Sequence, residues 1–299
     1  MHGWIVIDKP AGPGSTRIVS AVKRALREAG CNKVKVGHGG TLDPLASGVL
    51  PVALGEATKL AGRMLGADKV YEFTMRFGEE TDTLDAEGAV VATSEQRPTR
   101  AEVDAVLARF TGEIEQVPPA FSALKVDGKR AYDLARAGAE VEMKSRRVTV
   151  HSLARRSTES RSDDVTLIAR VSKGTYVRSL ARDIARALGT VGHVVMLRRT
   201  KAGPFSLEQA ISLDKLAQLA KARTLEQALL PLTAGLDDIP ALPVTPDQAR
   251  LLRQGRKVVG IAARPGLHLA IDSSVPVALV ELHGDELRVV RGFNLQEGV

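Results

Sequence analysis

Apolar residues in this chain follow two different spacings that alternate without a fixed rhythm, and that irregularity restricts the fold more than any other feature. Ile18, Val22, Leu26 and Ala29 recur at helical spacing after Ser15 and Thr16, either of which offers a capping hydroxyl, and Gly30 ends the run. Thr99-Arg100-Ala101-Glu102 has the pattern of a capping box and leads into Val103, Val106, Leu107 and Phe110. A further helix is predicted after Lys173-Gly174, on Val177, Leu180, Ala181, Ile184 and Leu188, closing at Gly189. Between them, Tyr71, Phe73, Met75 and Phe77 alternate with Glu72, Thr74 and Arg76, the period-two pattern of a half-buried strand. Val165 to Val171 is a second β-rich run. A doubly wound sheet needs regular βαβ alternation. This order predicts an α+β fold with a mixed or antiparallel central sheet flanked by helices.

The prolines divide the chain. Pro231, Pro240, Pro243 and Pro246 fall in a short span that reads as a connector. Residues 1–235 then form the main domain, and residues 240–299, with Val258, Val259, Ile261, Leu267, Leu269 and Ile271, form a small β-rich module. A module that short is marginal alone and is expected to pack on the main body.

The net charge is +7, with a pI near 9.6. Excess cation favours a polyanionic partner, because each neutralised phosphate releases condensed counterions. Between Lys125 and Arg156, nine Lys and Arg face four Asp and Glu, so this one segment carries +5. The single cysteine, Cys31, excludes an intrachain disulfide and fits a reducing, cytoplasmic compartment. Asp8 and Lys9 fall too early for the apolar core of a signal peptide, and the run Pro44 to Gly55 is too short to span a bilayer. Six scattered His and one Cys offer no metal-ligand spacing, so no zinc site is expected.

The densest signal is Gly37-His38-Gly39-Gly40-Thr41-Leu42-Asp43-Pro44-Leu45-Ala46-Ser47-Gly48-Val49-Leu50-Pro51. Glycines before the acid permit close approach of a ligand, and the absence of a following Gly-Lys-Ser/Thr excludes a phosphate-binding P-loop. Asp43 before Pro44 has a plain alternative, a helix N-cap with proline at the first helical position.

This run, with Gly55-Glu56-Ala57-Thr58-Lys59, resembles the catalytic motif of the TruB-type tRNA pseudouridine synthases. The resemblance continues in order through Lys69-Val70-Tyr71, Thr81 to Gly88, Pro118-Pro119-Ala120-Phe121-Ser122-Ala123, Ser172 to Leu180 and Leu197-Arg198-Arg199, covering about residues 3 to 235. It implies a pseudouridine synthase fold with a PUA-like C-terminal domain reaching the acceptor stem. The implied activity is isomerisation of uridine-55 in the T-loop of tRNA, a redox-neutral reaction that needs no metal or cofactor.

By that resemblance Asp43 is the catalytic carboxylate, Arg178 its partner, and Tyr71 the residue that stacks on the target base and moves a proton. His38 would fill the place of the flipped base and Asp85 would contact the flipped nucleotides. Lys59, Tyr176 and Leu197 would lie at or beneath the pocket. The basic stretch, about residues 122–156 with Arg146 and Arg147, would be an RNA-clasping insertion, eased by Gly128 and Gly138. Each also has a simpler reading: core packing for Tyr71 and Leu197, a helix first turn for Tyr176, a satisfied imidazole for His38, a solvated helix end for Lys59, a solvated hairpin for the insertion. The expected partner is tRNA alone, bound by a monomer with no obligatory protein partner and no membrane. A second functional reading is a tRNA folding factor whose catalysis is secondary, and a third is a guide-dependent synthase that shares the Asp motif.

Overall fold

The computed structural model describes residues 1–122, 124–126, 128–132, 137, 143–156 and 163–295. Gly138 and much of the expected clasp therefore lie outside the described residues.

The chain opens with β1 (Gly3–Lys9), α1 (Ser15–Glu28), β2 (Val36–His38), β3 (Ser47–Leu54), α2 (Ala61–Gly66) and β4 (Lys69–Phe77). A hairpin, β5 (Glu79–Thr81) with β6 (Val90–Thr93), precedes α3 (Arg100–Leu107) and β7 (Gly112–Gln116). A short hairpin, β8 (Lys125–Val126) with β9 (Lys129–Arg130), lies between β7 and β10 (Arg146–Arg155). Then come β11 (Asp164–Val171), α4 (Val177–Ala187), β12 (Gly192–Ala202), β13 (Phe205–Ser206) and α5 (Leu213–Ala222). The small module holds β14 (Ala241–Pro243), α6 (Pro246–Arg253), β15 (Gly266–Asp272), β16 (Val275–His283) and β17 (Glu286–Gly292).

Among the described residues the main sheet runs β1-β3-β12-β4-β11-β10-β7, with β2 added to β3 and β13 to β12. Only the β3–β12 pairing is parallel, so the expected mixed sheet is what forms. Alternation assigns the faces. Ile5 and Ile7 with Leu50, Val52 and Leu54 meet α1 and α4 in one core, while Trp4 and Val6 with Val49 and Ala53 enter a second core on the opposite face. Two buried faces explain why β3 reads as an unbroken apolar run rather than an alternating one.

The capping box at Thr99 forms, with its hydroxyl accepting from the Glu102 amide. At α1 the structure differs: Gly14 is the cap, and the Ser15 hydroxyl is used elsewhere. The proline-rich span is also more ordered than a plain connector. Leu232 and Leu236 pack in the second core beside Trp4, and Ala241–Pro243 is already a strand of the small sheet, parallel to β15. That sheet, β14-β15-β16-β17, joins the same core through Leu269 and Leu279, with Phe293 just beyond β17.

Candidate active site

Asp43 lies in the irregular segment between β2 and β3, with no helix following it, so the N-cap reading does not hold. Three buried side chains fix this segment. The Ser15 hydroxyl donates to the Leu42 carbonyl (3.0 Å) and accepts from the Leu42 amide (2.8 Å). The Lys9 ammonium, fully buried, donates to the carbonyls of Pro10 (2.9 Å), Pro13 (2.8 Å) and Pro44 (3.2 Å). The Arg199 guanidinium donates to the carbonyls of Val49 (2.8 Å), Thr41 (3.3 Å) and Gly40 (3.2 Å). Buried carbonyls need such donors, since leaving one unpaired costs about 1–3 kcal/mol. Gly48, at φ +101°, completes the turn: a Cβ there would lie 2.1 Å from the Arg199 carbonyl oxygen.

The Asp43 side chain keeps 39% of its surface exposed, and its Oδ2 accepts from Arg178 Nη2 at 2.8 Å. Arg178 is itself only 6% exposed and is held from four directions. Besides Asp43 it donates to the carbonyls of Thr83 (2.8 Å) and Phe121 (3.0 Å), and its Nη1 lies 3.1 Å from Asp85 Oδ2. The other Asp85 oxygen accepts from the Thr83 hydroxyl (2.6 Å) and the Glu87 amide (3.0 Å). A buried guanidinium is thereby fixed between two carboxylates, one buried and one open to solvent.

A cleft of about 320 Å³ opens over Asp43. Tyr71 from β4, Leu197 from β12, and Tyr176 and Arg178 at the start of α4 line it, with Leu65 and Arg146 also on its wall. The β4–β12 register sets Tyr71 opposite Arg199 and Phe73 opposite Leu197. The Arg146 guanidinium carbon sits 4.8 Å over the Tyr176 ring, a cation–π contact, and Arg146 also donates to the Gly174 carbonyl.

Other expected site residues lie elsewhere. Asp85 is buried, and its carboxylate is taken up by Thr83, Glu87 and Arg178, so it braces Arg178. Lys59 donates to Glu56 (2.6 Å) and to the Gly292 carbonyl (2.9 Å), at the junction with the small sheet. Arg147 follows Arg146 in a strand, so it points to the opposite face and is exposed. His38, half-buried, accepts at Nδ1 from the Gly40 amide (3.4 Å). Burial lowers its pKa below the ordinary value, and the nearby Arg199 charge adds to that.

Several residues that the sequence did not single out as site residues carry the site. Gln116, 1% exposed, receives the Tyr176 amide on its side-chain oxygen (2.7 Å) and donates its NH₂ to the Tyr176 carbonyl (3.1 Å). Burial lowers the Lys9 ammonium to about 8, although Asp43 and Glu87 pull the other way; Arg199 lowers it further. Lys69, also brought to about 8 by burial, caps the end of α2 through the carbonyls of Met64, Leu65 and Ala67. A lone lysine or glutamine in sequence looks exposed; only the fold reveals these as internal. Among the described residues no group of three or more His, Cys, Asp or Glu is arranged to hold a metal ion, and no helix is long and apolar enough to cross a membrane.

Solved structures with this architecture define a class. One chain from an H/ACA RNP bound to a substrate RNA containing 2′-deoxyuridine matches at TM-score 0.74 and 26% identity, covering 99% of this chain and 86% of that one. Another, from a Cbf5-Nop10-Gar1 complex, matches at TM-score 0.73 and 28% identity, covering 97% and 84%. The class is that of the pseudouridine synthase fold. Within it, residues 23–177 match the N-terminal domain of the TruB family pseudouridylate synthases, and residues 178–237 match the tRNA pseudouridylate synthase B C-terminal domain. The chain belongs to the TruB family. The tRNA pseudouridine synthase B of Zymomonas mobilis is 63% identical, covering 98% of this chain and 96% of that protein. That of Novosphingobium aromaticivorans is also 63% identical, covering 99% of each. The two matched units are not two structural domains. They meet at the start of α4, and β12 of the second unit lies between β3 and β4 of the first.

Proposed function

We propose that this chain is an isomerase that converts uridine-55 in the T-loop of tRNA to pseudouridine through the Asp43 carboxylate. The observation that carries the reading is an aspartate that is 39% exposed in a cleft while bonded to a 6% exposed arginine. A group built only for stability would be closed in, like Asp85. The 63% identity to two proteins named tRNA pseudouridine synthase B supports the substrate class.

The reaction breaks the N1–C1′ bond, turns the base, and forms C5–C1′; the C5 proton leaves and N1 ends protonated. Asp43 supplies the anionic oxygen that acts on the sugar or base once the nucleotide is extruded, which costs a few kcal/mol. Among the described residues its Oδ1 accepts no protein hydrogen bond, so that atom is available to the substrate. Arg178, braced by Asp85, holds the carboxylate in place and balances its charge. Tyr71 stacks on the uracil and serves proton movement at C5, with Leu197 and Tyr176 closing the walls. His38 fills the vacated stack, and the segment around Arg146 and Arg147 contacts backbone phosphates without reading sequence. The small module extends the contact toward the acceptor stem. The enzyme works in the cytoplasm as a monomer, without an obligatory protein partner.

Release of tritium from an unmodified tRNA transcript labelled at uridine C5 tests this directly. One equivalent released per tRNA is expected, with none from a transcript carrying cytidine at position 55. Release from both transcripts, or from neither, would refute the assignment.

A further inference from the structure

The outer face of α1 carries an unusual charge pattern. Arg17, Lys23, Arg24 and Arg27 are all exposed, and Lys33 and Lys35 follow on the return to β2. With Glu28 as the single acid between residues 15 and 35, this segment has a net charge of +5. Together with the +5 of residues 125–156 it outweighs the chain's +7, so the rest of the chain is net −3. Cation is concentrated in two places.

Surface arginines elsewhere are mostly paired. Arg63, Arg76, Arg155, Arg170, Arg186 and Arg198 each lie within 3.0 Å of a carboxylate. Among the described residues, none of the six cations from Arg17 to Lys35 has such a partner, although Glu28 sits one turn beyond Arg24. The arrangement also costs the helix. Lys23 and Arg24 each stand three or four residues from Arg27, a spacing at which like charges destabilise by a few tenths of a kcal/mol. The first turn holds Arg17 and no acid, against the preference of the helix dipole. An external polyanion relieves both penalties at once.

Position supplies the second argument. The Ser15–Leu42 hydrogen bonds tie the first turn of α1 to the residue before Asp43. The strand order puts β1, which leads into α1, at one end of the sheet and β10 and β7, which flank the basic insertion, at the other. The Asp43 cleft, lined from β4 and β12, lies between these ends. At 14 residues, α1 extends about 21 Å, farther than a single flipped nucleotide reaches.

We propose that the exposed face of α1, with Lys33 and Lys35, is a second phosphate-binding surface that holds the sugar–phosphate backbone of the tRNA outside the flipped loop. It rests on the tRNA reading above. It makes binding two-sided, the insertion at one end of the sheet and α1 at the other, with the target nucleotide between them.

The test compares wild-type protein with the triple variant R17Q/R24Q/R27Q, measuring the dissociation constant of an unmodified tRNA transcript from about 50 to 300 mM KCl. Glutamine retains helix propensity, so α1 should persist. Each phosphate contact contributes about 0.7–0.9 to the slope of log K against log salt. The variant's slope should fall in magnitude by about 2, with binding weakened at least fivefold near 150 mM. A slope unchanged within about 0.5 would overturn the surface. If the triple variant does not fold, K33Q/K35Q carries the same test, with an expected slope loss of about 1.5. Wild-type protein that does not bind tRNA would sink the tRNA reading itself; normal wild-type binding with an unaltered variant slope sinks only this proposal.

Discussion

Tyr176 is gripped at its peptide by Gln116 and over its ring by Arg146, and those two residues are register partners on β7 and β10. Arg178 lies two residues further along, in the first turn of α4, so Gln116 acts on the Asp43–Arg178 pair at one remove. Gln116→Met fills the same space and removes both hydrogen bonds. Its single-turnover rate on tRNA should fall about tenfold, with the dissociation constant changing less than about threefold; equal losses in both would make Gln116 a general support of the fold. His38 offers a titration. Its folded pKa is lowered, so between that value and 6.5 the unfolded chain binds more protons, and stability falls as pH drops through that window. An NMR titration of His38 should inflect below 6.5, and an inflection at or above 6.5 would contradict the burial assigned to it.

The Asp43 segment depends on elements that meet only after folding. Gly48 pairs with Arg199 across the parallel β3–β12 pairing of the main sheet. Gly48→Ala would force a side chain at φ +101° into the Arg199 carbonyl. Thermal unfolding should show a loss of about 3 kcal/mol or more, combining backbone strain with a broken pairing; a loss below about 1 kcal/mol would mean that the turn adapts freely. Long periodic elements were legible from spacing alone: the alternation in β4, the capping box of α3 and the apolar stripe of α4. The motif run pointed to Asp43, Tyr71, Arg178 and Leu197, which do meet at one cleft. Spacing could not reveal Gln116, which grips a residue 60 positions away, or Lys9 and Arg199, whose charges are internal because loop carbonyls converge on them, including Pro44 on Lys9 and Gly40, Thr41 and Val49 on Arg199. The placement of Asp85 and Lys59 was hidden for the same reason. Their motif positions say that they lie near the site, not whether the side chain points to the ligand, to Arg178 or to a neighbouring sheet.

The small module shares a core with the main body instead of hanging from a linker. Phe293, 2% exposed, belongs to the same cluster as Trp4, Leu232 and Leu269. Calorimetry should give one unfolding transition, and Phe293→Ala should lower it by about 5–10 °C, from a loss of roughly 3–5 kcal/mol. Two well-separated transitions would contradict a common core. The proposed reaction rests on the carboxylate of Asp43. The most direct measurement is therefore to map pseudouridine in an unmodified tRNA transcript after incubation with wild-type protein or Asp43→Asn, with nothing else added. Wild type should place pseudouridine at position 55, and Asp43→Asn should place none while binding the transcript within about tenfold of wild type. Modification by Asp43→Asn at a rate near wild type would remove the carboxylate from the chemistry and the account with it.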